Sequence, residues 1–461
     1  MLGKGALIVI LGFSIVFGVA GRYWSRNSTK AVENFVDYYD NTAAHNIAVS
    51  AANLAADSIF QNPANASMAT LSGEYPGGGK YTARCDQQPG NRVLVTAVGL
   101  YPGMSGQTIF DTVQVLLAPS SFARYAWFTD TENGVNWVTG DTLTGDLQTN
   151  SRMYVIGQPV IKGAVSTFGG AVGNGGSRPP YSLPDRYGDR LICDSYQTGV
   201  KVPLPSDISN TVNAATKIFQ PASAYSGSGY AYNVYLQFNS DGTVTYSDST
   251  WQKAYYSGWT LVDSTPSQPL NIASIGDAGT GGAVILVNNG NAHVSGTVSG
   301  RVTVAANKGN GTYKESIPSS YDGVGTNGNV FIDGATTCST DPRTNPGSPD
   351  MLGLVAYNDV MLMKQPNGDV NIDAAVFALK GSFLYQNYGV DANDGDASGY
   401  IQLYGSITQE NRGPVGRLST GYHSSSYTGF LKNYRYDPRM GTDPPPGYPG
   451  TNRYRVIAWR E

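Results

Sequence analysis

Gly5-Ala6-Leu7-Ile8-Val9-Ile10-Leu11-Gly12-Phe13-Ser14-Ile15-Val16-Phe17-Gly18-Val19-Ala20-Gly21 is the stretch on which the reading of this chain turns. It carries no charge. Lys4 precedes it, and Arg22 and Arg26 follow it. As a helix it would measure about 25 Å, slightly short of a bilayer's hydrocarbon core. Three roles compete: a cleaved secretory signal with Gly18 and Ala20 before the cut, a plain membrane anchor, and a helix that stays on the mature protein.

The next thirty residues favour the third. Ser28 to Phe60 contains neither Pro nor Gly. Apolar residues recur at Ala31, Phe35, Tyr38, Ala44, Ile47, Ala48, Ala51, Leu54, Ala55 and Ile59, in steps that place them on one helical face. Asn62-Pro63 is a stop signal. The two stretches therefore read as one rod over residues 1–62, about 80 Å long from the start of the apolar run. Ile47, Ala51, Leu54 and Ile59 are expected to pack it onto a following head. Leu7, Ile8, Ile10, Leu11, Phe13, Ile15, Val16, Phe17 and Val19 are expected to face lipid or other helices.

The Gly5–Leu11 start followed by a long Ala-rich helix resembles the prepilin-type N-terminus, in its minor-pilin and pseudopilin variants. The resemblance implies that a prepilin peptidase cuts after a glycine, with Gly5–Ala6 the matching boundary and Gly3 a weaker one, unless Met1 is itself the mature start. It implies insertion in the inner membrane, then polymerisation into an extracellular type IV pilus-like filament by the pilus assembly machinery. The partners are then copies of this chain or other pilins. Cutting before Ala6 puts Ile10 where major pilins carry Glu, which points to a minor, pseudopilin-like or divergent subunit. The alternative is an exported β-helical adhesin or carbohydrate-binding protein. A β-helical polysaccharide lyase or hydrolase comes third.

The remainder reads as β. The chain has 461 residues with 57 Gly and 31 Tyr, and only 14% are charged. That composition suits many short strands and tight turns. The net charge of −4 has no basic stripe, which argues against nucleic acid. Strand patterns at Arg92–Val98 and Thr108–Leu117 suggest a pilin-like head over residues 63–133. Short apolar alternations punctuated by Gly over 134–168 resemble the first rungs of a β-solenoid. Residues 169–268 read as an insertion with a hairpin turning at Asp241-Gly242. Rung-like segments resume over 269–461, ending in a Pro/Tyr-rich cap. The expected fold is α+β, mostly β: a long N-terminal helix, then a right-handed parallel β-helix with an inserted hairpin region. The segments Phe122–Phe128, Tyr404–Gly416 and Lys432–Arg439 resemble uncharacterised exported β-helical proteins that follow pilin-like N-termini.

Little in the sequence points to chemistry. His45, His293 and His423 are far apart, and no metal-binding His pair occurs. Asp391, Asp394 and Asp396 lie on an acidic loop that is a weak site for a hard cation and reads better as a solvated turn. Asp333, Asp369 and Asp373 are the carboxylates a β-helical carbohydrate enzyme would have to bring together. Tyr225, Tyr230, Tyr232, Tyr235, Tyr255 and Tyr256 read as sheet-covering residues before they read as a sugar platform. Cys85, Cys193 and Cys338 form no CxxC pair, and their pairing is not fixed by sequence. No cofactor and no enzymatic activity are expected.

Overall fold

The structure, a computed structural model, describes residues 2–68, 70–88, 92–104, 106–173, 188–227, 229–254, 258–277, 279, 281–308, 327–363, 368–386, 399–420 and 425–461. The acidic loop with Asp391, Asp394 and Asp396 lies outside them, as do Tyr255, Tyr256 and His423. The chain is α+β and mostly β, and it divides into two units. One comprises Met1–Pro119 with Arg453–Glu461, and the other Ser120–Asn452.

The first unit is built on a single helix, Leu2–Gln61, of 60 residues. At 1.5 Å per residue it is about 90 Å long. It ends where the sequence says it should: the Asn62 carbonyl side chain accepts the Ala64 N–H at 3.2 Å, and Pro63 opens a 3-10 turn. Strands follow at Thr70–Tyr75, Gly79–Gln88, Arg92–Pro102 and Thr108–Ser121, each antiparallel to the one before. The C-terminal strand Gly450–Arg460 lies beside the fourth and completes the sheet. Its residues from Arg453 onward, which the sequence places with the cap of the β body, thus belong to the unit of the N-terminal helix.

Small residues let this helix sit low on the sheet. Ala48, Ala51, Ala52, Ala55 and Ile59 pack against Val93, Val95, Ala97, Val113, Val115 and Leu117, all fully buried. Gly99 marks the closest approach. A Cβ there would run into the Ala44 carbonyl and stand 2.5 Å from the Ala48 nitrogen. Ile47, Ala51 and Ile59 are buried as expected, but Leu54 is 49% exposed. On the helical wheel Leu54 falls just outside the arc of Ala44, Ala48, Ala51, Ala55 and Ile59. Its apolar character therefore counts toward the outer face.

The second unit is held by parallel pairing. Ten strands stand side by side in one ladder: Lys217–Phe219, Ala283–Asn288, Arg301–Asn307, Met351–Ala356, Val370–Ala378, Gly399–Asn411, Trp127–Thr131, Leu147–Thr149, Val160–Thr167 and Ile192–Thr198. A second parallel ladder joins Tyr230–Phe238, Asn291–Val298, Val330–Cys338, Val360–Leu362 and Phe383–Tyr385. Long strands bend and change partner half way. Gly399–Asn411 pairs through Gly399–Gly405 with Ser425–Tyr436 and through Ile407–Asn411 with Trp127–Thr131. With Thr142–Thr144, Leu147–Thr149 and Val160–Thr167 these close a ring of six parallel strands.

The order of the ladder differs from the order of the chain. The sequence suggests that rungs at 134–168 are interrupted and then resume. Instead, the early strands stack beyond the late ones, because Trp127–Thr131 adds to Gly399–Asn411. The expected hairpin forms, Tyr230–Phe238 antiparallel to Thr243–Ala254. Its first strand also belongs to the second parallel ladder. The expected insertion is thus partly rung.

Two polar devices fix the register of these apolar strands. The first is a stack of side chains along neighbouring strands of the second ladder. Asn233 Oδ1 accepts from Asn291 Nδ2 at 2.9 Å, and Asn291 Oδ1 accepts from Asn329 Nδ2 at 3.1 Å. Asn329 Oδ1 accepts the Asp359 N–H at 3.1 Å, and Asp359 Oδ1 the Ser382 N–H at 2.7 Å. Buried amides that satisfy one another this way reject a slipped register, which would leave them unpaired. The second device is a pair of buried ion pairs at the seams of the six-strand ring. Arg412 meets Glu132 at 2.6 Å with both side chains fully buried, and Lys432 meets Asp141 at 2.7 Å. Trp137 lies against both cations, 4.4 Å from the Arg412 guanidinium and 5.9 Å from the Lys432 ammonium.

Breaking one partner of a buried pair strands the other charge. Arg412→Ala should therefore cost about 3–5 kcal/mol, whereas the joint change Arg412→Met with Glu132→Leu should cost distinctly less. Denaturant unfolding followed by the fluorescence of the adjacent Trp127 and Trp137 measures both. Equal losses in the two variants would mean that packing, not charge pairing, holds this seam.

Candidate assembly surface

The N-terminal helix presents what soluble folds hide. From Gly5 to Tyr39 almost every residue is exposed. Leu7, Ile8, Ile10 and Leu11 are 60–72% exposed, and Phe13, Ile15, Val16, Phe17 and Val19 are comparable. Gly5 and Ala6, the expected processing boundary, lie within the same continuous helix. This part is long and apolar enough to cross a membrane. The apolar exposure does not stop at Gly21. Tyr23, Trp24, Val32, Phe35 and Tyr38 continue it, with Trp24 at 77%. A contiguous apolar surface on this scale marks a membrane or protein contact.

Asp40 marks where exposure ends. It is buried, and its carboxylate accepts the Met104 N–H at 3.0 Å. Below it the helix belongs to the sheet. His45 reaches Asp111 Oδ2 at 2.7 Å and pins the helix to the fourth strand. Two functions are therefore stacked along one helix: residues 40–61 are head core, and residues 5–39 are open surface.

The carboxylates that a carbohydrate enzyme would need are each engaged locally. Asp333 faces His293 Nδ1 at 3.0 Å. Asp369 accepts from the Gln402 amide at 2.8 Å and the Tyr400 N–H at 2.9 Å, and these bonds hold its carboxyl below the usual range. Asp373 is buried. Burial pushes its carboxyl up, while the Cys338 N–H and Arg343 oppose that. Each serves a different partner set, and no converging acid–base pair is built from the three. Among the described residues no group of three potential metal ligands gathers. Of the tyrosines, Tyr232 is buried and bonds Asp248 at 3.1 Å, Tyr235 stacks on His293, and Tyr225 leans on Tyr230. They cover sheet rather than form a flat platform. A groove of about 610 Å³ has Asp241, Asp277, Arg301 and Asp350 in its largely apolar lining. Asp350 is already spent on the Gly300 and Thr340 N–H groups at 2.7 Å each.

The three cysteines are free thiols. Burial pushes the Cys338 thiol up to about 12, with the nearby Asp373 adding to the effect. At pH 8 its thiolate fraction should be on the order of 10⁻⁴, so alkylation should run roughly 10³-fold slower than at an ordinary cysteine. Mass-spectrometric mapping of iodoacetamide labelling, with and without denaturant, checks this. Labelling of native Cys338 at the rate seen in denaturant would contradict it.

The chain matches no family model, no curated protein and no solved structure.

Proposed function

We propose that this chain is a structural, non-enzymatic subunit of an extracellular filament of the type IV pilus kind, as a pilin, minor pilin or pseudopilin. The observation that supports the reading best is the exposed apolar surface of the helix, continuous from Leu7 to Val19 and carried on by Trp24, Val32, Phe35 and Tyr38, although the same helix packs tightly lower down. Lipid covers that surface while the subunit waits in the inner membrane. Neighbouring helices cover it in the filament, which conserves the apolar burial. A prepilin peptidase cutting between Gly5 and Ala6 would leave the whole apolar run on the mature chain. Assembly then needs the pilus machinery and other subunits, and no nucleic acid or cofactor.

In this reading the parallel ladders are the rungs of a right-handed β-helix. Crossovers between parallel strands take that hand almost without exception. Strands that bend and pair with different neighbours on their two halves are what a coil rounding a corner produces. The filament would display this body, whose loops would meet solvent or a surface. The adhesin alternative shares this body and differs only in losing the N-terminal helix or using it as an anchor.

N-terminal mass spectrometry of the protein from its native host, with electron microscopy of the same material, separates these. The expected result is a chain beginning at Ala6, recovered in filaments. A mature chain beginning at Gly21 would remove the apolar core and overturn the filament reading.

A further inference from the structure

Between Arg22 and Asp37 the exposed helix carries five charges in two blocks. Arg22, Arg26 and Lys30 come first, then Glu33 and Asp37. At 100° per residue all five fall within an arc of about 80°. Trp24, Ala31, Val32, Phe35, Tyr38 and Tyr39 occupy the opposite side of the wheel. All five charged residues are exposed, and none forms an ion pair with a described residue. Gly5 to Gly21 holds no charge at all. The long apolar run can therefore glue helices together but cannot say how far one is displaced along another.

We propose that these two charge blocks set the axial stagger between neighbouring copies of this chain, at two to three helical turns. This rests on the helix being an assembly surface. Two parallel helices in register would oppose basic to basic and acidic to acidic. A shift of seven residues, about 10 Å, brings Arg26 to Glu33 and Lys30 to Asp37. A shift of eleven, about 16 Å, brings Arg22 to Glu33 and Arg26 to Asp37. Both shifts are within about 20° of a whole number of turns, so the charged arcs still face each other. The charges specify register and exclude the in-register arrangement, while the aromatic and aliphatic residues supply adhesion.

The test uses the full chain under conditions where the wild type assembles, read as the sedimentable fraction and by microscopy. One variant, R22E/R26E/K30E, makes both blocks acidic. The other, E33K/D37K, makes both basic. Each alone should lose assembly by about tenfold or more, with its helix content unchanged by circular dichroism, because every register now opposes like charges. Mixed one to one they should co-assemble, since each then meets its opposite. R26C/E33C and R22C/E33C should cross-link between copies through the new thiols, and R26C alone should not cross-link at position 26. Three results would overturn the proposal. They are normal assembly of both charge variants, cross-linking of R26C to itself at position 26, and failure of the acidic variant alone while the basic one assembles normally. The last would assign Arg22, Arg26 and Lys30 to anionic lipid. Failure of the wild type to assemble at all would instead strike at the filament reading itself.

Discussion

The chain builds a helix longer than the sheet that covers it, and much else in the molecule answers to that mismatch. A 60-residue helix meets its own sheet only over its last third. There the contact is close, made by alanines against valines with Gly99 at the crossing. Above Asp40 the same helix keeps its propensity but has no partner in the chain. Helical propensity alone does not hold so long a rod in water. In the proposed reading, lipid and then other helices surround it. The head strands, with the C-terminal strand added, hold the base of the rod so that its upper part projects.

The β body solves a different problem. Short parallel strands gain little each, and their pairing is non-local, so register must be enforced. Here the enforcement is polar. The Asn233, Asn291, Asn329 and Asp359 stack ties neighbouring strands of the second ladder together. The Arg412–Glu132 and Lys432–Asp141 pairs fix the seams where early and late strands meet. Buried ions of this kind add little net stability compared with apolar packing, and what they contribute here is discrimination against other pairings.

Much of the first unit was legible in the sequence because its signals are local. Asn62-Pro63 stops the helix, Ala44 to Ile59 marks its buried face, and Asp241-Gly242 makes the hairpin turn in the other unit. Leu54 lies about 20° beyond the buried Ile47, just past the edge of the covered arc, and its apolar side chain does not reveal where that edge falls. The ladder order was not legible. Nothing near Trp127 in sequence announces that it will pair beside Gly399–Asn411. The Asn stack was also hidden, since its members are separated by 58, 38 and 30 residues and no fixed period exists to find. The apolar half of the candidate surface, Leu7 to Val19, was readable directly from hydrophobicity. Its continuation through Trp24, Phe35 and Tyr38 was not, because an amphipathic pattern does not say whether the apolar face is covered.

The claim at the centre is that the helix above Asp40 is buried by other copies when the protein assembles. Replacing Phe35 by cysteine and following its reaction with a bulky maleimide tests this at a position where the chain itself leaves the side chain open. The account predicts rapid labelling in detergent-dispersed monomers and strong protection in assembled material. Equal labelling rates in the two states would contradict it.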